Sequence, residues 1–229
     1  MFVSAANFHK CNRQQPDWKE CAFNAAQHGL TQLNRAYDEL NIPSLNPYEV
    51  KEVSVAAGSG RSFAVNQHYR NCKVYGLNNA NVTTFQFDFE KKTMNLNGLF
   101  PEVSIACDYE LDGKILVLPV QGKGRSEITF KNGWAAILLS FEEAKKKRRT
   151  YLKFTSNEFV MKPELVTFHY DNLFNGDKTL TDNTNKVLNE NWEAVFEDSK
   201  DDFAGIVEKI FLELINNFFS NVSVEEAFE

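Results

Sequence analysis

NLFNGDKTLTDNTNKVLNENW, residues 172–192, separates two parts of the chain with different apolar patterns. Before it, apolar residues recur at every second position; after it, they recur at helical spacing. With three acidic residues, six asparagines and one glycine, it first suggests an oxygen-rich cation loop. An EF-hand loop needs D-x-[DN]-x-[DN]-G and a glutamate six residues beyond the glycine. Here Gly176 follows Asn172 and Asn175, and the sixth residue beyond it is Asp182, with no ladder of oxygens before it. The spacing argues against calcium. Asn175-Gly176 reads instead as a turn, because both residues tolerate positive φ. Asp182 or Thr184 then caps a helix whose apolar residues begin at Val187 and Leu188.

That helix runs from Asn183 to Phe219 if unbroken, about 55 Å at 1.5 Å per residue. A kink is expected at Gly205 or in the acidic run from Glu197-Asp198 to Asp201-Asp202. Between Arg61 and Asp171 the period is two. Thr83, Phe85, Phe87 and Phe89 share a face, as do Val103, Ile105, Cys107, Tyr109 and Leu111. ILVLPV, ITF, WAAILLSF, YLKF and LVTFHY continue the strands, with turns expected at Leu111-Asp112-Gly113 and Lys131-Asn132-Gly133. An N-terminal helix is expected from Asp17 to Leu40, and Ser44 to Gly60 reads as a connector. The fold class is therefore α+β: a strongly curved antiparallel sheet around a long C-terminal helix, in one domain spanning residues 1–229.

A sheet apolar on its inner face and a helix apolar on one broad face require each other. The facing positions are Phe85, Phe87, Phe89, Val103, Ile105, Cys107, Tyr109, Phe130, Ile137 and Leu139 on the sheet. On the helix they are Trp192, Val195, Phe196, Phe203, Ile206 and Ile210. With 20 phenylalanines in the chain, these positions either fill a solid core or line a residual apolar cavity, and periodicity leaves both open.

A net charge of −6 argues against nucleic acid as a partner. No stretch approaches the ~18–20 uninterrupted apolar residues of a membrane span. The opening MFVSAANFHK lacks a signal-peptide h-region, leaving a cytoplasmic protein or a mature form with a start methionine as the expectation. Lys145 to Arg149, KKKRR, lies between two strand patterns and reads as a solvated hairpin tip. No serine-hydrolase elbow, zinc-protease, phosphate-loop or dinucleotide fingerprint occurs. His169 and Asp171 fall on one strand face, which makes an exposed surface pair of them. No catalytic residue, metal or cofactor is assigned.

Cys11 and Cys21 lack the two further ligands of a zinc site and the spacing of a redox motif. A local disulfide accounts for them better than two free thiols do, and it implies an oxidising compartment. The sequons at Asn81 and Asn221 point the same way, towards secretion. Cys72 and Cys107 occupy inward positions and read as buried thiols, a bridge between them being the alternative.

FHKC with the following Cys21, NIPSLNP, NCKVYGLNNANVT, LDGKILVLPVQGKG, YLKF and DNLFNGDKTLTDNTNKVLNENWEAVF occur in this order from Phe8 onward. Together they resemble the insect takeout and juvenile-hormone-binding protein family. The resemblance implies the tubular lipid-binding fold, with an apolar tunnel between a long helix and a curved sheet. It also implies a secreted, non-enzymatic carrier of a small hydrophobic ligand such as a juvenile-hormone-like terpenoid, a carotenoid or a fatty-acid-like lipid; a monomer is the expectation. Cys11 and Cys21 match the family's N-terminal disulfide. The chain has no cysteine after Cys107, so it is more similar to the takeout branch than to the hormone-binding members with a second disulfide towards the C-terminal half. The competing readings are a lipid-ester hydrolase and a membrane-surface or interaction module with a filled core.

Overall fold

The computed structural model describes residues 8–57, 63–115 and 118–228. Seven strands form one antiparallel sheet: β1 (Tyr48–Val55), β2 (Phe63–Tyr75), β3 (Asn81–Asp88), β4 (Thr93–Ile115), β5 (Leu118–Lys146), β6 (Arg149–Lys162) and β7 (Leu165–Tyr170). The central pair is unusually long, with 23 residues in β4 and 29 in β5. Straight, β5 would span about 95 Å at ~3.3 Å per residue, so strands of this length have to coil with the natural twist.

A crease crosses the sheet where its outer strands change. β4 pairs with β3 up to Leu99 and with β2 from Ser104. β5 pairs with β7 as far as Lys131 and with β6 from Trp134. On this line Pro101 and Asn132 drop out of the β4–β5 ladder together, and Asn132 has φ 49°. The Asn132-Gly133 hairpin expected from sequence is thus overturned: the left-handed residue bends a continuous strand. The Leu111-Asp112-Gly113 turn is overturned as well, because β4 runs on to Ile115. At Gly113 a Cβ would lie 2.4 Å from the Ala64 carbonyl oxygen, so glycine there allows β2 to approach β4. Of the ILVLPV stretch, Ile115 ends β4 and Leu118, Pro119 and Val120 open β5, while residues 116 and 117 lie outside the described residues.

Two further expectations change. The connector contains the edge strand β1, signalled by the alternation of Tyr48 and Val50 with charged residues. Thr83 is exposed rather than sharing the face of Phe85 and Phe87, because the register slips between Val82 and Thr84. The tip at Lys145 to Arg148 is exposed, as expected, on the β5–β6 hairpin.

The helices are α1 (Trp18–Gln32), α2 (Lys178–Glu190), α3 (Trp192–Asn221) and α4 (Val224–Phe228). α1 stops eight residues short of Leu40, because Tyr37, Leu40 and Ile42 leave the helix to bury themselves against Val222. The C-terminal helix breaks at Asn191, not at Gly205 or the acidic run. Asn191 Nδ2 donates to the Val187 carbonyl, 2.8 Å away, and so competes with the helical ladder. The cap of α2 is Asp177, which accepts from Leu180 N at 2.9 Å, rather than Asp182 or Thr184; Asp182 pairs with Lys178. Asn175-Gly176 makes the expected turn, with φ 47° and 110°.

Helices close the sheet edges through amide side chains. Asn185 accepts from Tyr170 N at 2.9 Å and donates to Tyr170 O at 2.8 Å. Asn189 treats Phe168 in the same way, both contacts at 2.8 Å. Two asparagines four apart on a helix thus match two residues two apart on a strand. Asn216 on α3 does this for Phe154 of β6, and Gln27 on α1 spans Ala80 O and Val82 N beside β3. Each such pair replaces a missing strand neighbour. The asparagine content of residues 172–192 is structural.

Both cysteine pairs are joined. Cys11–Cys21 is bridged as expected. Cys72–Cys107 is also bridged, which corrects the buried-thiol reading. The bridge crosses from β2 to β4 at the register slip between Arg70 and Lys73, where the two Cα atoms lie 4.2 Å apart.

Candidate functional site

The helix α3 crosses the crease, and each end packs into a different half of the sheet. Phe196 is closed among Cys107, Tyr109, Phe130, Val166 and Phe168, with Trp192, Val195 and Phe203 against the same cluster. At the far end Phe219 packs with Phe87, Phe141, Phe154 and Phe228. Between these plugs, Phe203, Ile206, Val207, Ile210, Phe211, Leu212, Leu214 and Ile215 are all only half-buried. The sheet residues Phe85, Leu96, Val103, Ile105, Phe159 and Met161 are half-buried too, although they pack against core clusters. A close-packed interior leaves such side chains almost no accessible surface.

The sixteen positions expected to face one another therefore do not form one ring. Phe87, Ile137 and Leu139 are closed at the Phe219 end, with Phe85 and Phe89 beside them. Cys107, Tyr109, Phe130 and Phe196 are closed at the other end, and the Cys107 sulfur is spent in its disulfide. Val103, Ile105 and Ile210 meet near Tyr48 and Leu45 in the middle. Ile206 lies outside every buried cluster and is half-accessible. Sequence reasoning passed over Val207, Phe211 and Ile215, whose place in the apolar stripe is visible but whose incomplete packing is not, and Leu212, which lies off that stripe. Glu208, also half-buried, lies one turn from both Ala204 and Leu212.

The phenols inside the closed end are paired. Tyr69 donates to Gln67 Oε1 at 2.8 Å and shares a 3.0 Å contact with the Tyr170 hydroxyl. Tyr109 donates to the Asp171 carbonyl. The loop carrying Asp171 and Asn172 crosses β5 at Gly122, where a Cβ would come within 2.3 Å of Asn172 O. Burial pushes the Tyr69 and Tyr109 phenols well up and Tyr170 to about 12. Burial and then the nearby Glu213 raise Tyr48. An acid whose pKa is raised by folding contributes stability in full below its unfolded pKa, near 10, and loses it as pH climbs towards the folded value. Absorbance titration of the tyrosine phenols tests this. Tyr48, Tyr69, Tyr109 and Tyr170 should ionise only with cooperative alkaline unfolding. Simple titration of these four near pH ~10 in folded protein would contradict this geometry.

Histidine networks lie outside. His169 Nε2 is 3.1 Å from Asp171 Oδ1, on side chains 67% and 58% exposed, as the strand pattern implied. Ser54 Oγ, His68 Nδ1 and His68 Nε2, Glu52 Oε1 form a chain with contacts of 2.7 and 3.2 Å. Its residue types match an acyl-transfer triad, but it lies on the outer surface of the paired strands β1 and β2. Successive N–H groups of an extended strand point to opposite sides, so no two converge beside Ser54 as an oxyanion hole requires. Among the described residues one group has metal-ligand spacing, His9 with Cys11 and Cys21, and its two sulfurs are bonded to each other. No helix among the described residues is long and apolar enough to cross a membrane.

Comparison with known proteins agrees with this architecture. The chain is 26% identical over 218 residues to the circadian clock-controlled protein daywake of Drosophila melanogaster, covering 92% of this chain and 84% of that protein. Identity to the Drosophila yakuba daywake is 25% over 227 residues, with 96% and 86% covered. The crystal structure of Epiphyas postvittana Takeout 1 superposes with a TM-score of 0.82 at 22% identity, covering 96% of this chain and 99% of that one, and so shares the fold. The family model for haemolymph juvenile hormone binding protein (JHBP) matches residues 2–229, nearly the whole sequence. The chain belongs to the haemolymph juvenile hormone binding protein family.

Proposed function

We propose that this protein is a non-enzymatic, extracellular carrier that holds one small hydrophobic ligand in an apolar tunnel beneath the middle of α3. The observation that carries this reading is the set of apolar side chains between Phe203 and Ile215, most of them packed against core clusters yet only half-buried between two closed plugs. An apolar interior left unfilled is the counterpart of an apolar ligand. Family membership and two disulfides, which persist in oxidising compartments, support the same reading. The hydrolase alternative draws on the Ser54–His68–Glu52 chain, and incubation with a lipid ester should leave the ester intact.

The ligand class follows from charge. No lysine or arginine stands among the half-buried residues of that run, and Glu208 is the one ionisable residue among them; Lys209 and Glu213 are exposed. An anionic head buried there would be unpaired and beside a carboxylate, at a cost of several kcal/mol. A neutral terpenoid or polyene that buries ~400 Å² gains on the order of 10 kcal/mol before ordering costs. Neutral elongated ligands should therefore bind more tightly than matched anionic ones, with affinity nearly independent of salt. Titration of a neutral and an anionic ligand of equal chain length at two ionic strengths tests this. Tighter anion binding that collapses with salt would defeat the apolar tunnel.

A further inference from the structure

A row of side chains crosses the solvent face of the sheet at the crease. Asn81 pairs directly with Leu99, Leu99 with Trp134 and Trp134 with Lys162. Directly opposed residues of antiparallel strands project from the same face. Leu99 is 46% exposed and Trp134 36%, with Leu138 and Val160 exposed beside them. A contiguous apolar patch of this kind on a solvent face is generally covered by something.

The two sequons sit in opposite environments. Asn81 and Thr83 are both exposed, and among the described residues no hydrogen bond engages the Asn81 side-chain amide. Asn221 Nδ2 donates to Asn217 O at 2.8 Å and Leu40 O at 3.2 Å, which uses both of its hydrogens. Ser223 is fully buried, exchanging hydrogen bonds with Glu226 at the start of α4. A sugar on Asn221 would replace one donated hydrogen and have to leave through the packed residues Val222 and Leu40.

We propose that Asn81 carries an N-linked glycan whose inner sugars lie across Leu99 and Trp134, while Asn221 stays unmodified in the folded protein. This rests on the extracellular reading above, since the modification needs passage through the secretory pathway. The donor is a polyisoprenyl-diphosphate oligosaccharide. Its C1–O bond to the diphosphate breaks, C1 bonds to Asn81 Nδ2, the amide gives up one proton and the diphosphate leaves. Trp134 lies two strand spacings from Asn81, about 10 Å, within reach of the first two sugars. The C–H face of an N-acetylhexosamine can stack on the indole while its polar groups remain in water. The site and the apolar patch then account for one another.

The test expresses the full chain with an added secretion signal in insect cells. Mass spectrometry is done before and after peptide N-glycosidase. Glycan on the Asn81 peptide and none on the Asn221 peptide is the expected result. Secreted, disulfide-bonded protein with Asn81 bare, or with Asn221 modified, overturns the assignment. Covering is read by hydroxyl-radical labelling of Trp134, which should rise several-fold after enzymatic removal of the glycan and in both Asn81→Gln and Thr83→Val, either of which serves if the other folds poorly. Unchanged labelling overturns the covering. Because the signal is supplied, these outcomes do not depend on natural export, which is judged separately by disulfide mapping of protein from its native source.

Discussion

Phe87→Ala should lower the unfolding free energy by about 3–5 kcal/mol, the range for removing a buried phenylalanine ring. Phe87 is 5% exposed. Its ring lies 5.2 to 6.1 Å from those of Phe85, Phe89, Phe141, Phe154, Phe219 and Phe228. Those six come from three strands, the stretch after β3 and both C-terminal helices, so no single neighbour can move to fill the space. The sequence pattern places Phe87 among the ligand contacts; its burial assigns it to the plug at one end of α3. Denaturant titration should therefore show a large midpoint shift for Phe87→Ala, and a change within about 0.5 kcal/mol for Gln86→Ala on the exposed face. A loss below ~1 kcal/mol together with weakened ligand binding would return Phe87 to the ligand wall.

What the sequence reveals follows how local each cause is. Period-two alternation placed Phe85 and Phe87 inward, Asn175-Gly176 fixed a turn, and the KKKRR run fell at a hairpin tip. Each depends on a few neighbouring residues. The Cys72–Cys107 bridge depends on β2 lying beside β4 with a slipped register, a relation between segments 35 residues apart. Asp112-Gly113 and Asn132-Gly133 carry the same local signal as true hairpin turns. In this sheet they serve a close strand approach and a crease, because the hydrogen-bonding partners on both sides continue past them. The candidate site was legible as an apolar stripe from Trp192 to Phe219. Which part of that stripe is plug and which part is open is a matter of volume, and volume is decided by all the facing elements at once.

Asn185→Leu tests the least legible feature, the clasp between α2 and β7. The substitution keeps side-chain size and removes both hydrogen bonds to Tyr170, leaving its N–H and C=O without partners in a buried position. Each unsatisfied backbone group costs about 1–3 kcal/mol, so a loss of about 2–4 kcal/mol is expected. Asn189 continues the clasp at Phe168, two residues along the same strand, so the double variant should lose less than the sum of the two single losses. Asn183→Leu, an exposed change in the same helix, should fall within about 0.5 kcal/mol. Asn185→Asp separates hydrogen bonding from packing. Ionised, its carboxylate still accepts from Tyr170 N–H but faces the Tyr170 carbonyl with no proton to donate. Protonated, it recovers a donor. The folded state therefore raises the pKa of this introduced acid, and the linkage gives stability present below its unfolded value, about 3.9, and lost as pH rises through the folded one. Relative to the parent protein, Asn185→Asp should be strongly destabilised at pH ~7 and recover as pH falls towards ~4, whereas Asn185→Leu should show no such recovery. Equal behaviour of the two variants across that range would mean that Asn185 acts through packing alone and that the β7 edge is satisfied in some other way.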